Sequence, residues 1–137
     1  MSLIYLDSCA VVKLVRIESE SAHLKTWLRA NGGLSNAITC DLTHTEVRRA
    51  LHRIGVDEAQ FAAAVKLLNA AVKLPLKTEI MLAAGDLAPA TSLRSLDAIH
   101  VAAAQALGPA CRYFVTYDKR LAKAATAQGL AVAAPGQ

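Results

Sequence analysis

The sequence predicts an α/β fold: a mainly parallel sheet with helices on both faces. Three observations carry this reading. Short apolar runs alternate along the chain with longer segments of helical period. The first run, Leu3, Ile4, Tyr5 and Leu6, has the character of a strand buried on both faces. Apolar residues make up 54% of the 137 residues and aromatics only 4%, so helices with small side chains provide most of the cover. The length suits one domain, residues 1–137, with one sizeable core.

The elements follow in order. A strand at 3–6 leads into a helix from Ser8 to about Glu18, and a second helix runs to about Arg29, where "NGG" at 31–33 ends it. "LSNAIT" at 34–39 reads as a strand, and "THTEVRRALHRIG" at 43–55 as a helix closed by Gly55. Residues 57–73 form a further helix with Phe61, Val65, Leu68 and Val72 on one stripe. A short strand at 74–77, a helix at 79–87 and a turn around Pro89 come next. The helix at 95–107 is stopped by Gly108 and Pro109. A strand at 112–116, a helix at 118–129 and a last short strand at 130–132 complete the chain.

Composition narrows the class. Cys9, Cys40 and Cys111 are odd in number and in no CxxC spacing, which predicts a reduced intracellular protein without disulfides or structural zinc. Asp7 interrupts the only apolar run near the N-terminus, so no secretory pattern is expected, and no stretch approaches the ~20 apolar residues of a membrane span. The net charge of +4 is compatible with a polyanionic partner and equally with an ordinary protein surface.

Four acids stand at helix starts: Asp7, Glu46, Asp97 and Asp118. Asp7 and Asp118 follow strands, where open parallel sheets form their sites. Each acid also has a purely local role open to it. Asp7 and Asp118 are good N-caps, Thr43 to Glu46 fits a capping box, and Asp97 is favoured at a positive helix end. Taken together they ask for more. Asp97 sits between Leu96 and Ala98-Ile99, and Asp7 between "LIYL" and "AVV", where a carboxylate is costly without a partner. Converging carboxylates repel one another. A hard divalent cation offsets that repulsion, and oxygen ligands suit Mg²⁺ or Mn²⁺. Such a site can activate water for attack on a phosphodiester.

"YLDSCAVVKL", "THTEVRRAL", "LRSLDAIHVAAA" and "VTYDKRLAKAATAQGLAV" resemble, in order and spacing, the motifs of PIN-domain ribonucleases. More narrowly they resemble the VapC toxins of bacterial VapBC toxin–antitoxin pairs, over essentially the whole chain. The resemblance implies a three-layer α/β/α sandwich around a parallel sheet. It also implies an acidic pocket binding Mg²⁺ or Mn²⁺, and endoribonuclease activity that inhibits translation in the cytoplasm. The family's acids map onto Asp7, Glu46 and Asp97 as the core set and Asp118 as the more variable fourth, with Ser8 and Thr116 as supporting hydroxyls. Asp7 and Asp97 are expected to hold the metal, with Glu46 and Asp118 acting directly or through water. A VapB-like antitoxin, a homodimer and a toxin–antitoxin hetero-oligomer are the expected assemblies. Cys9 departs from the family, where a small polar residue is common. Inert packing and a thiol acidified at the helix start are the two readings of it.

The helix after Glu46 carries Arg48, Arg49, His52 and Arg53 opposite Val47, Leu51 and Ile54. This is either a solvated basic face or an RNA-tracking rim. Arg49 and Arg53 follow Glu46 by three and seven residues, which at ~3.6 residues per turn predicts one side of the helix. His100, three residues after Asp97, is open to a metal role, but its place in "AIHVAAA" favours a packed or hydrogen-bonded core histidine. Two rival functions stand beside the nuclease. A haloacid-dehalogenase-type or receiver-like phosphoryl-transfer protein also places an Asp after a strand; the first wants a second acid two residues on, where this chain has Cys9. A non-catalytic RNA-binding module with a decayed site is the other.

Overall fold

The computed structural model describes residues 2–87 and 93–137. Strand β1 (Leu3–Leu6) sets the layering, because successive side chains of a strand point to opposite faces. Ile4 and Leu6 join one apolar cluster with residues of α1 (Ser8–Val15), α2 (Ser21–Ala30), α3 (Leu42–Ile54) and α4 (Glu58–Ala70). Tyr5 joins the opposite one with α6 (Ser95–Ala106) and α7 (Lys119–Ala127), and α5 (Thr78–Gly85) packs on that side. The sheet lies between, completed by β2 (Ala37–Cys40), β3 (Val72–Leu74), β4 (Cys111–Val115) and β5 (Val132–Ala133). Its order is β3-β2-β1-β4-β5, and every pairing is parallel. The expected α/β/α sandwich is the observed one. Among the described residues no helix is long and apolar enough to cross a membrane, and all three cysteines are free.

Several boundaries shift, each for a physical reason. The strand expected at 34–39 runs over Ala37–Cys40, preceded by a 3₁₀ turn at Gly33–Asn36. Gly32 and Gly33 take positive φ, and Ser35 and Asn36 donate back to the Gly32 and Asn31 carbonyls, which holds those residues in the turn. Ala37 is where pairing with Ile4 begins. The helix expected to reach residue 73 ends at Ala70, because Val72 to Leu74 pair with Ile38 to Cys40 as β3. Val72 therefore leaves the predicted stripe and is half exposed on an edge strand. Lys73 caps the end of α4 through the Leu68 and Ala71 carbonyls. The last strand starts two residues late, at Val132. Helix α1 stops at Val15, short of Glu18, and α5 covers Thr78–Gly85. The turn expected around Pro89 lies outside the described residues.

Helix α3 buries Thr43, Val47 and Leu51 and turns Arg48, Arg49, His52 and Arg53 outward. Gly55 ends it at φ +80, with its N–H on the Leu51 carbonyl at 3.0 Å. A Cβ there would meet nothing within 4 Å, so the cost of a side chain is backbone strain alone. Gly55→Ala is expected to lose about 1 kcal/mol of stability, read as a lowered melting temperature. A larger loss would show a contact that the open space does not provide.

Candidate active site

The carboxyl ends of β1 and β4, with α3 from Glu46 to Ile54 and the first turn of α6, enclose a cleft of about 400 Å³; Glu46 thus lies in the second turn of its helix, further in than the sequence suggests. Asp7, Glu46, Asp97 and Asp118 all line it, together with Ser8, Cys9, Glu18, Arg53, Arg94 and His100. The four acids are far apart in sequence, and the parallel topology brings their four elements to one edge.

Asp7 is the N-cap of α1, accepting from the Ala10 amide at 2.9 Å. It is only 3% exposed. Burial raises its pKa, while the Cys9 thiol, the Thr116 hydroxyl and the Ala10 amide pull the other way. Cys9 donates to both Asp7 oxygens, at 3.0 and 3.2 Å. Burial and the Asp7 charge push this thiol far up. Both observations favour the packed reading of Cys9 over the acidified one: its thiol serves as a hydrogen-bond donor to Asp7. Thr116 is fully buried, 3.9 Å from the Cys9 sulfur, and its hydroxyl accepts from the Asp118 amide at 3.2 Å.

Glu46 does not form the capping box that its sequence pattern allows. Helix α3 begins at Leu42 with Asp41 before it, so Thr43 is already inside the helix and bonds Thr39. Glu46 instead takes a hydrogen bond from Ser8 at 2.5 Å and another from His100 Nε2 at 2.6 Å. Burial opposes its ionisation, but these two donors hold its pKa below the ordinary value. His100 is buried, with Nδ1 2.8 Å from the Tyr5 hydroxyl. Burial disfavours its charge, yet Cys40 and Glu46 outweigh that and raise its pKa to about 10. Tyr5 in turn stacks on Phe114 with centroids 5.3 Å apart. The second acid is therefore held by a chain of contacts running into the core.

Asp97 lies in the first turn of α6 and is mostly buried. Arg94, just before that helix, donates to it from Nε at 3.0 Å and places Nη2 3.6 Å from Asp118. Asp118 caps α7 through the Arg120 and Leu121 amides, which fixes one oxygen. Sequence reasoning passed over Arg94. The available signal was a basic residue immediately before a helix, where the helix end disfavours positive charge. Arg53 lines the cleft beside Ala50 and Ile54, whereas Arg49 is exposed and lies outside the lining. The cleft-facing stripe of α3 therefore runs Glu46, Ala50, Arg53.

Lys13 bridges Glu18 at 3.0 Å and Glu20 at 2.7 Å, tying the α1–α2 connection beside the cleft. Hydrogen bonds from Lys13 and Ser19 lower the Glu20 pKa from its ordinary value to about 2. A depressed carboxylate stabilises the fold above its unfolded pKa and loses that contribution as pH falls through the folded value. Stability should therefore decline between about pH 4.5 and 2, and Glu20→Gln should flatten this limb in acid-melting curves. An unchanged limb would place the acid sensitivity elsewhere.

The donor set is hard oxygen, which suits Mg²⁺ or Mn²⁺. Among the described residues no three Asp, Glu, His or Cys side chains stand close enough to form a closed cage. Mg²⁺ does not require one, since it keeps several waters and takes one or two carboxylates. Of the four acids, Asp7 and Asp97 are the buried ones, while Glu46 and Asp118 are more open to solvent.

The chain whose parallel sheet and surrounding helices bring these four acids to one cleft matches the PIN domain model over residues 4–127. Ribonuclease VapC35 of Mycobacterium tuberculosis is 41% identical over 137 residues, covering 98% of each chain. Ribonuclease VapC47 of the same species is 40% identical over 135 residues, again covering 98% of each. The crystal structure of M. tuberculosis VapC20, described as a Sarcin-Ricin loop cleaving toxin, superposes with a TM-score of 0.73 at 17% identity, over 96% of this chain and 99% of that one. The chain belongs to the PIN-domain family, within its VapC ribonuclease branch.

Proposed function

We propose that this chain is the toxin of a type II toxin–antitoxin pair, a cytoplasmic Mg²⁺- or Mn²⁺-dependent endoribonuclease that inhibits translation by cutting RNA. The observation that carries the reading is the convergence of Asp7, Glu46, Asp97 and Asp118 on one cleft, each held by specific donors. Its relatives' names as ribonucleases support RNA as the substrate. A bound divalent cation would supply an activated water and neutralise charge developing on the phosphate. The chain's own contribution is orientation. Asp7 is held by the Ala10 amide and Cys9 thiol, and Glu46 by Ser8 and His100, which fixes both carboxylates in the wall of the cleft. Glu46 and Asp118, more exposed than Asp7, are placed to accept a proton from attacking water. Arg53 supplies positive charge at the cleft for flanking phosphates, which position RNA without reading its bases.

The phosphoryl-transfer rivals lose their footing. Cys9, not an acid, stands two residues after Asp7, and its thiol is engaged with Asp7 itself. The decisive experiment incubates purified protein with total RNA in Mg²⁺, in Mn²⁺ and in EDTA, and maps the new 5′ ends. Cation-dependent cuts at defined positions are expected. Protein that binds Mn²⁺ and RNA but never cuts would return the chain to a non-catalytic RNA-binding module.

A VapB-like antitoxin is the proposed partner, with a basic side chain entering the acidic cleft, in a hetero-oligomer built on a toxin homodimer. Co-expression of the adjacent small reading frame should restore growth and yield a stable complex without nuclease activity. A stable complex that still cuts RNA at the full rate would rule out occlusion of the cleft.

A further inference from the structure

Arg94 is poorly placed for helix stability. It precedes the first turn of α6, and the positive helix end repels it. Its guanidinium nevertheless reaches over two acids from two different elements. The two contacts differ in kind. Nε to Asp97 Oδ2, at 3.0 Å, is a charge-assisted hydrogen bond of normal length. Nη2 to Asp118 Oδ2, at 3.6 Å, is longer than a hydrogen bond. One edge of the group is thus anchored and the other only leans. The Arg94 side chain is 67% exposed and lines the same cleft as the acids, so its looser edge is open to a ligand.

We infer that Arg94 is a phosphate-binding residue of the cleft: Nε stays on Asp97 while the Nη edge, which rests on Asp118 in the free protein, passes to an RNA phosphate. The inference rests on RNA as substrate, as proposed above. A guanidinium is suited to the exchange. It carries five N–H donors in a planar fork, and the two contacts to the acids engage only two of its three nitrogens. Asp97 keeps its other oxygen for a cation. Asp118 becomes free to bind through water once the Nη edge has left. With Arg53 on α3, the acidic floor is then flanked by a cation from each of two elements.

The same geometry makes Arg94 a competitor of the metal and a helper of the RNA, and this gives a signature of opposite signs. Mn²⁺ binding to the full chain is measured by calorimetry without RNA for the parent, Arg94→Ala and Arg94→Lys. Binding of a mixed-sequence single-stranded RNA is measured against salt, with Mn²⁺ present and every protein carrying Glu46→Gln to suppress cutting. Arg94→Ala should bind Mn²⁺ tighter, by roughly threefold or more, because one positive charge a few ångströms away is gone. It should bind RNA more weakly, with a log–log salt slope shallower by about 0.7, the value for one single-strand phosphate contact. Arg94→Lys should keep the slope and lose part of the affinity, having the charge without the fork. If Ala weakens both ligands, Arg94 only positions the acids and the inference is overturned. An unchanged RNA slope overturns it as well. Parent protein that binds no RNA would overturn both this inference and the nuclease reading, whereas a binding parent with an indifferent variant overturns this one alone.

Discussion

Asp7→Asn and Asp97→Asn are each expected to abolish RNA cleavage, by about three orders of magnitude or more, while the fold persists. A metal clamp supplies several kcal/mol of transition-state stabilisation, and each ~1.4 kcal/mol is a factor of ten in rate. Asparagine keeps the size of the side chain and removes the charge a cation needs. The two variants should differ in stability. Asp7 is buried with a raised pKa. A carboxyl whose folded pKa stands above its unfolded one opposes folding at neutral pH, and this opposition fades as pH falls and the group is protonated in both states. The amide oxygen of the substituted side chain would still accept from the Ala10 amide as an N-cap. The melting temperature of metal-free Asp7→Asn should therefore equal or exceed that of the parent. Asp97→Asn loses the charge facing Arg94, an exposed partner, and should melt within a few degrees of the parent. Cleavage rates and melting curves on the same samples check both. Full activity in either variant would remove that acid from the catalytic set.

His100→Ala should have the largest effect on the fold itself. His100 is 2% exposed and joins Glu46 at 2.6 Å to the Tyr5 hydroxyl at 2.8 Å. Removing the ring leaves a core cavity and the buried Tyr5 hydroxyl without its imidazole partner, together costing about 3–5 kcal/mol, whereas Glu46, lining the cleft and still bonded by Ser8, can be solvated. For a domain of this size that lowers the melting temperature by roughly 10 °C or more. Cleavage by the fraction still folded should fall about 10- to 100-fold, the usual cost of losing a group that orients a metal-site carboxylate. His100→Gln restores one amide donor and should recover part of both losses. Thermal melting of the three proteins side by side would decide it; parent-like melting of the Ala variant would mean that Ser8 alone holds Glu46.

Much of this architecture was legible before any coordinates, for reasons that differ residue by residue. Asp7 and Asp97 were conspicuous because a carboxylate inside an apolar run needs a partner. The layers were readable from the alternation of elements. Glu46 was ambiguous, since a capping box is a local pattern, while its actual partners lie 38 and 54 residues away. Strand ends were misplaced wherever register with a neighbour decides them, as at Ala37 and Val72. Arg94 stayed hidden for a related reason: its contact with Asp118 depends on α6 and α7 meeting at one edge, which no spacing along the chain announces. Arg49 and Arg53 looked equivalent on a helical wheel. The Ala50 to Arg53 stripe, set by how α3 packs, separates them.

The central place of β1 between β2 and β4 bears on biosynthesis. Its pairing with β4 joins Leu3–Leu6 to Cys111–Val115, strands separated by most of the intervening fold, with Asp7 just after the first and Asp118 at the start of the helix after the second. Such distant pairing forms late, after the intervening polypeptide exists. A nascent chain holding only the first four helices carries two of the four acids and has no β4 to close the cleft. The four-acid cleft is therefore assembled only after β4 and Asp118 have been synthesised, so the ribosome making the chain meets no complete site while the first four helices are emerging.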